Sequence, residues 1–214
     1  DKMIGNKPRL IVLSKKDLAD EKITTEFIEK YSNEQNKVVA YDLQNDPNAK
    51  NEILNYAKQK DEDPFIVILD ELEDPHNLGS IVRTAELCGV HGIIIPKRRN
   101  IGVTATVYKA SVGAIEYVKI AKVSNVNSTI DELKAKNIWV YGADINGEEY
   151  SYDTNFNGAC AIVIGNEGKG ISKLTKNKCD KLVKIPMIGK INSLNASVAG
   201  GIMMYEVLKG RIKK

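Results

Sequence analysis

Ala161-Ile162-Val163-Ile164-Gly165-Asn166-Glu167-Gly168-Lys169-Gly170 joins an apolar run to a glycine-rich turn. Its first four residues are apolar without alternation, as in a strand covered on both faces by helices. Gly165, Gly168 and Gly170 then crowd one turn, which calls for sharp bending and a close approach of backbone. Similar apolar runs occur at residues 65–69, 93–95, 117–120, 138–141 and 182–185. Helix-like segments separate them. Leu78, Ile81, Val82, Ala85 and Cys88 recur at three- and four-residue spacing, with Gly89 as a C-terminal stop. Residues 128–134 begin with capping hydroxyls and run into a second amphipathic helix. Residues 193–212 form a long terminal helix. Strands alternating with helices predict an α/β domain with a mostly parallel sheet and helices on both faces.

The first 60 residues read differently. Strands are expected at 9–13 and 38–41 and a helix at 24–31, with polar breaks at 42–51 and 59–64. The predicted organisation is a small N-terminal segment, 1–60, ahead of the main domain, 64–214; so short a segment is marginal for a core of its own.

Composition excludes several classes. The chain has 214 residues, and 31 Lys and Arg against 28 Asp and Glu leave a net charge of +3. Apolar residues make up 43%, an ordinary globular mixture. Apolar runs fall far short of the roughly 20 residues that span a bilayer, and Asp1 to Asn6 carry no secretory signal pattern. Cys88, Cys160 and Cys179 are widely separated, which favours reduced thiols in a cytoplasmic protein over a disulfide framework or zinc site. No metal is expected, because no Cys/His/carboxylate group has ligand spacing. Basic clusters at Lys97-Arg98-Arg99, at the lysines of residues 169–184, and at Lys209, Arg211, Lys213 and Lys214 are solvated surface or an RNA-facing edge.

Three segments follow predicted strands, where open α/β sheets bind ligands. The first, Asp74-Pro75-His76-Asn77-Leu78-Gly79-Ser80-Ile81-Val82-Arg83-Thr84, turns into a helix. At about 100° per residue Arg83 points away from the apolar face, to solvent or to a phosphate. The second is the glycine turn after Ile164. It lacks the Gly-Lys-Ser/Thr ending of a phosphate-binding loop, and no dinucleotide fingerprint follows the first strand. The third, Ile185-Pro186-Met187-Ile188-Gly189-Lys190-Ile191-Asn192-Ser193-Leu194-Asn195-Ala196-Ser197-Val198-Ala199, enters a helix of small residues. Its start is capped by Ser193 or Asn195.

Together these segments closely resemble the motifs of the SpoU (TrmH) family of RNA ribose methyltransferases, in the SPOUT superfamily. Asn77, Gly79, Arg83 and Thr84 match its first motif, and Gly165, Glu167, Gly168 and Gly170 its second. Residues 185–187 and 193–199 match the third. The resemblance implies a C-terminal trefoil knot, a rare exception to unknotted topology. It implies S-adenosylmethionine as cofactor, held by Gly165, Ile185, Met187 and Leu194, which offer an adenine an apolar slot beside backbone groups. It also implies a homodimer, with the terminal helix (Ile202, Met203, Tyr205, Val207, Leu208) serving the interface, and RNA rather than a membrane as partner. Pro96-Lys97 and a helix expected over residues 108–114 resemble the branch that methylates a guanosine ribose in large-subunit ribosomal RNA. In that branch a ribosomal-protein-like N-terminal domain precedes the catalytic one, here shortened or replaced by a leader.

The chemistry so implied is methyl transfer to a ribose 2′-hydroxyl, with Arg83, Asn77, Glu167, Ser193 and Asn195 as the catalytic set. A guanidinium is too basic to accept a proton, so Arg83 is assigned to the phosphate and the developing alkoxide, and the others to orientation. Neither histidine is needed. The alternatives are a transfer-RNA ribose methyltransferase and a knotted RNA-binding protein without catalysis.

Overall fold

Two strands without a polar break, Phe65–Asp70 and Cys160–Gly165, are buried along their whole length and pair in parallel at the heart of one sheet. The structure, a computed structural model, describes residues 9–14, 26, 29–30, 36–41, 48–191 and 193–212. The chain divides into two compact units, Asp1–Asp46 and Pro47–Lys214. In the smaller, β1 (Arg9–Ser14) and β2 (Asn36–Tyr41) pair in parallel. The helix expected at 24–31 lies largely outside the described residues.

The larger unit begins with α1 (Ala49–Gln59), which sequence grouped with the N-terminal segment. It belongs to the larger unit because Ala49 and Ile53 join that unit's core, and Ile53 lies where a Cβ on Gly92 would fall, 2.4 Å from its Cγ1. There follow β3 (Phe65–Asp70), α2 (Pro75–Leu87), β4 (Gly92–Pro96), α3 (Ala105–Ala110), β5 (Lys119–Val123), α4 (Val126–Lys134) and β6 (Trp139–Ala143). The chain continues through β7 (Glu149–Tyr150), β8 (Cys160–Gly165), α5 (Lys173–Lys178), β9 (Lys181–Lys184) and α6 (Ala196–Ile212). The strands lie in the order β5-β4-β3-β8-β6-β9-β7, and every neighbouring pair is parallel.

Side chains alternate between the two faces of each strand. Phe65, Val67 and Leu69 pack with Leu78, Ile81 and Val82 of α2 and with Met203, Met204 and Val207 of α6. Ile66 and Ile68 pack on the other face with Ile53 of α1 and Ile130 and Leu133 of α4. The sheet is therefore covered on both sides, as its unbroken apolar strands predict.

Several ends differ from the sequence reading. α4 starts a turn early because Asn125, not a hydroxyl of residues 128–129, caps it by accepting from the N–H of Asn127 and Ser128. The helix expected over 108–114 stops at Ala110, since Val112 and Gly113 adopt positive φ of 52° and 83°. Of the terminal-helix residues assigned to an interface, Met203 and Val207 are buried in the chain's own core.

Two polar groups tie the sheet's amino-terminal end. The His91 Nδ1 accepts from the Phe65 N–H at 2.9 Å, and its Nε2 lies 3.0 Å from the Glu62 carboxylate. Arg211 donates to the carbonyls of Asp63, Pro64 and Gly158 at 2.7, 3.1 and 3.0 Å. Its place in a basic terminal cluster suggested a solvated or RNA-facing charge; instead its guanidinium is turned inward over Phe65.

Candidate active site

The first segment leaves β3 at Asp70, a buried carboxylate that accepts from the Ser172 N–H at 2.9 Å. Asp74 caps α2 through the His76 N–H at 2.9 Å, and Pro75 occupies the first helical position, where its missing N–H costs nothing. Asn77 therefore sits in the first turn, 6% exposed. Arg83 lies further along the same helix on its exposed face, and among the described residues it makes no ion pair.

The glycine turn follows β8. A Cβ on Gly165 would lie 2.2 Å from the Gly170 carbonyl carbon and 2.3 Å from the Ile171 nitrogen. The close approach read from sequence is thus the loop's own return, and it demands glycine. Asn166 and Gly170 exchange backbone hydrogen bonds at 3.2 and 2.8 Å, and Gly170 has a φ of 65°. The Asn166 side chain works in both directions. Its oxygen accepts from the N–H of Gly168 and Lys169, and its Nδ2 donates to the Glu71 carbonyl at 3.1 Å.

The third segment meets the other two through side chains. Asn195 caps α6 by accepting from the Ser197 N–H at 2.9 Å, and its Nδ2 donates to the Asn77 oxygen, also at 2.9 Å. Asn77 in turn donates through its Nδ2 to the Glu167 carboxylate. One hydrogen-bond chain, Asn195 to Asn77 to Glu167, joins the three segments.

Beside this chain lies a cavity of about 280 Å³. Gly165, Ile185, Met187 and Leu194, the residues assigned to a cofactor, all line it, as do Glu167 and Ser193. Asn77, Asn195 and Arg83 do not. Ile164, Val183, Ile185, Leu194 and Ala196 give the cavity an apolar side. Its polar side includes Asp144, ion-paired with Lys176, and Asn146, whose N–H donates to Asp144 at 2.9 Å. Sequence reasoning missed this pair, although Asp144 follows a strand end as the three chosen segments do. The cysteines are no nucleophiles, because burial pushes the Cys88 thiol up to about 11 and that of Cys179 to about 12. Among the described residues, no group of His, Cys, Asp and Glu is placed to hold a metal, and no helix is long and apolar enough to cross a membrane.

The SpoU rRNA Methylase family model matches residues 64–205, which span all three segments. The chain belongs to this family. YacO of Bacillus subtilis strain 168, assigned to the TrmH family of tRNA/rRNA methyltransferases, is 56% identical over 155 residues, 72% of this chain and 62% of that protein. A crystal structure described as an RNA 2′-O ribose methyltransferase is 27% identical, with a TM-score of 0.63, over 70% of this chain and 57% of that one. An AdoMet-bound rRNA methyltransferase from Sinorhizobium meliloti is 28% identical, with a TM-score of 0.64, over 68% and 56%. This SpoU-family chain spans less than two thirds of the length of these relatives.

Proposed function

We propose that this chain transfers a methyl group from S-adenosylmethionine to a ribose 2′-hydroxyl of RNA, with a guanosine of large-subunit ribosomal RNA as its target. The observation that carries the reading is the Asn195–Asn77–Glu167 chain, which fixes three motifs against one cavity. The cavity suits the cofactor. Ile164, Val183, Ile185 and Leu194 offer an adenine apolar contact, and the loop beside Gly165 brings backbone donors and acceptors to its edge. The RNA target rests on Pro96-Lys97 and residues 108–114, which resemble the ribosomal-RNA branch.

S-adenosylmethionine supplies the activated methyl group. The chain's own residues position and stabilise. Arg83, exposed outside the cavity, binds the phosphate next to the target ribose and stabilises the oxygen as it becomes anionic. The proton leaves to that phosphate or to water, because a guanidinium accepts none. Asn77 holds Glu167 in one orientation, Asn195 holds Asn77, and Ser193 presents its hydroxyl at the cavity wall.

In this reading the loops at 165–172 and 185–195 belong to a trefoil knot, and the enzyme is a cytoplasmic homodimer. Val198, Tyr205 and Ile212 recur every seven residues along α6 and remain 49%, 54% and 72% exposed, an apolar stripe suited to a second copy. Light scattering at micromolar concentration tests the dimer. Isothermal titration with S-adenosylmethionine, followed by methyl transfer to ribosomal and transfer RNA, tests the function. Saturable binding and 2′-O-methylation of ribosomal RNA are expected; no cofactor binding overturns the reading.

A further inference from the structure

The loop between β4 and α3 starts with Lys97, Arg98 and Arg99, all exposed, at the same end of the sheet as the cavity. It rests on the residues just after β3. The Ile101 N–H donates to the Leu72 carbonyl at 2.8 Å, and the Arg99 Nη1 lies 3.4 Å from the Glu71 carboxylate. Glu71 and Arg99 both hold positive φ, 60° and 56°, a conformation that side chains disfavour. Between Arg99 and Ile101, the amide of Asn100 is buried, and neither its oxygen nor its nitrogen has a partner among the described residues. α3, next along the chain, packs tightly on α2: a Cβ on Gly79 would lie 2.4 Å from that of Ala110. Arg83, one turn beyond Gly79, and exposed Lys109, beside Ala110, thus stand on adjoining helices.

Resting on the RNA methyltransferase reading, we propose that Lys97, Arg98 and Arg99, with Lys109, form the docking surface for the RNA strand whose target phosphate meets Arg83. Charge complementarity selects this occupant. Five cations border this face against the acids Glu71, Glu73 and Asp74, and the Glu71 carboxylate faces Arg99. The spread of cations follows a phosphate backbone rather than one anion. Arg99 exchanges Glu71 for a phosphate when the strand arrives. The Glu71 carbonyl is already bonded by Asn166 of the glycine loop, so the docking loop and the cavity loop share one anchor.

The test is anisotropy of a labelled 30-nucleotide single-stranded RNA of mixed sequence with the full chain, titrated from about 50 to 200 mM salt. Lys97→Ala with Arg98→Ala should flatten the slope of log K against log salt by about 1.4, the value for two lost contacts on a single strand. In transfer assays the pair should raise KM for RNA while leaving kcat and S-adenosylmethionine affinity within twofold. An unchanged salt slope, wild-type chain that does not bind this RNA, or a loss of RNA binding with no change in KM overturns the docking surface. RNA binding of the expected form without any binding of S-adenosylmethionine leaves it standing and overturns the methyltransferase reading instead.

Discussion

The side-chain amide of Asn195 donates to the oxygen of Asn77 at 2.9 Å, across 118 residues of chain. Asn195 caps the last helix and Asn77 lies in the first turn of α2, so the contact fixes two helix starts on one point. Asn77 spends its amide nitrogen on Glu167 and its oxygen on Asn195. An amide suits the position because it donates to a carboxylate and accepts from another amide at once.

Asn77→Ala should therefore leave one carboxylate and one amide without partners. A loss of about 1–3 kcal/mol in folding stability is expected, with weaker S-adenosylmethionine binding as Glu167 comes free at the cavity wall. Urea unfolding and calorimetric titration measure the two effects.

Gly165→Ala should be worse for the cavity than its size suggests. Its methyl group meets Gly170 and Ile171 backbone at 2.2 to 2.4 Å, and backbone cannot rotate away as a side chain can. The turn must open, at about 1–3 kcal/mol. Cofactor affinity should fall with the unfolding midpoint, whereas an Arg83 variant should alter neither.

A pH dependence follows from His91. Burial holds its imidazole below the ordinary range, and the Glu62 carboxylate opposes that only in part. The unfolded chain therefore binds this proton more tightly than the folded one, so stability rises with pH through this group. Its contribution is complete above the usual imidazole value of about 6.5 and is lost as pH falls below it. The urea midpoint should drop between pH 7.5 and 5.5. His91→Gln should be less stable at pH 7.5 but show a shallower drop.

Arg211 gives a further stability test. Its guanidinium satisfies three carbonyls and covers the ring of Phe65, with its centre 5.1 Å from the ring centroid. Arg211→Lys keeps the charge but loses the fork, and should cost about 1–3 kcal/mol. An exposed lysine such as Lys109, changed to Ala, should cost within about 0.5 kcal/mol.

The fold was legible because strands buried on both faces leave unbroken apolar runs, and residues 65–69 and 161–164 are such runs. Helix ends were less legible. Asn125 and Asp74 cap from outside the periodic stretch, where many polar residues look equally suitable. The motif residues pointed to one site, but the bond from Asn195 to Asn77 is a long-range contact that no spacing reveals. Nor does local pattern separate Arg211, whose stem returns to the sheet, from exposed Lys209 two residues before it.

In the proposed function the cavity binds the cofactor while Arg83, outside it, serves the transfer step. The most direct test is Arg83→Ala, titrated with S-adenosylmethionine and then assayed for methyl transfer to ribosomal RNA at saturating cofactor. An unchanged dissociation constant and unfolding midpoint are expected, with turnover reduced at least about 100-fold, the scale of one lost charge-stabilising group. Near wild-type turnover, or a loss of cofactor binding instead, would contradict it.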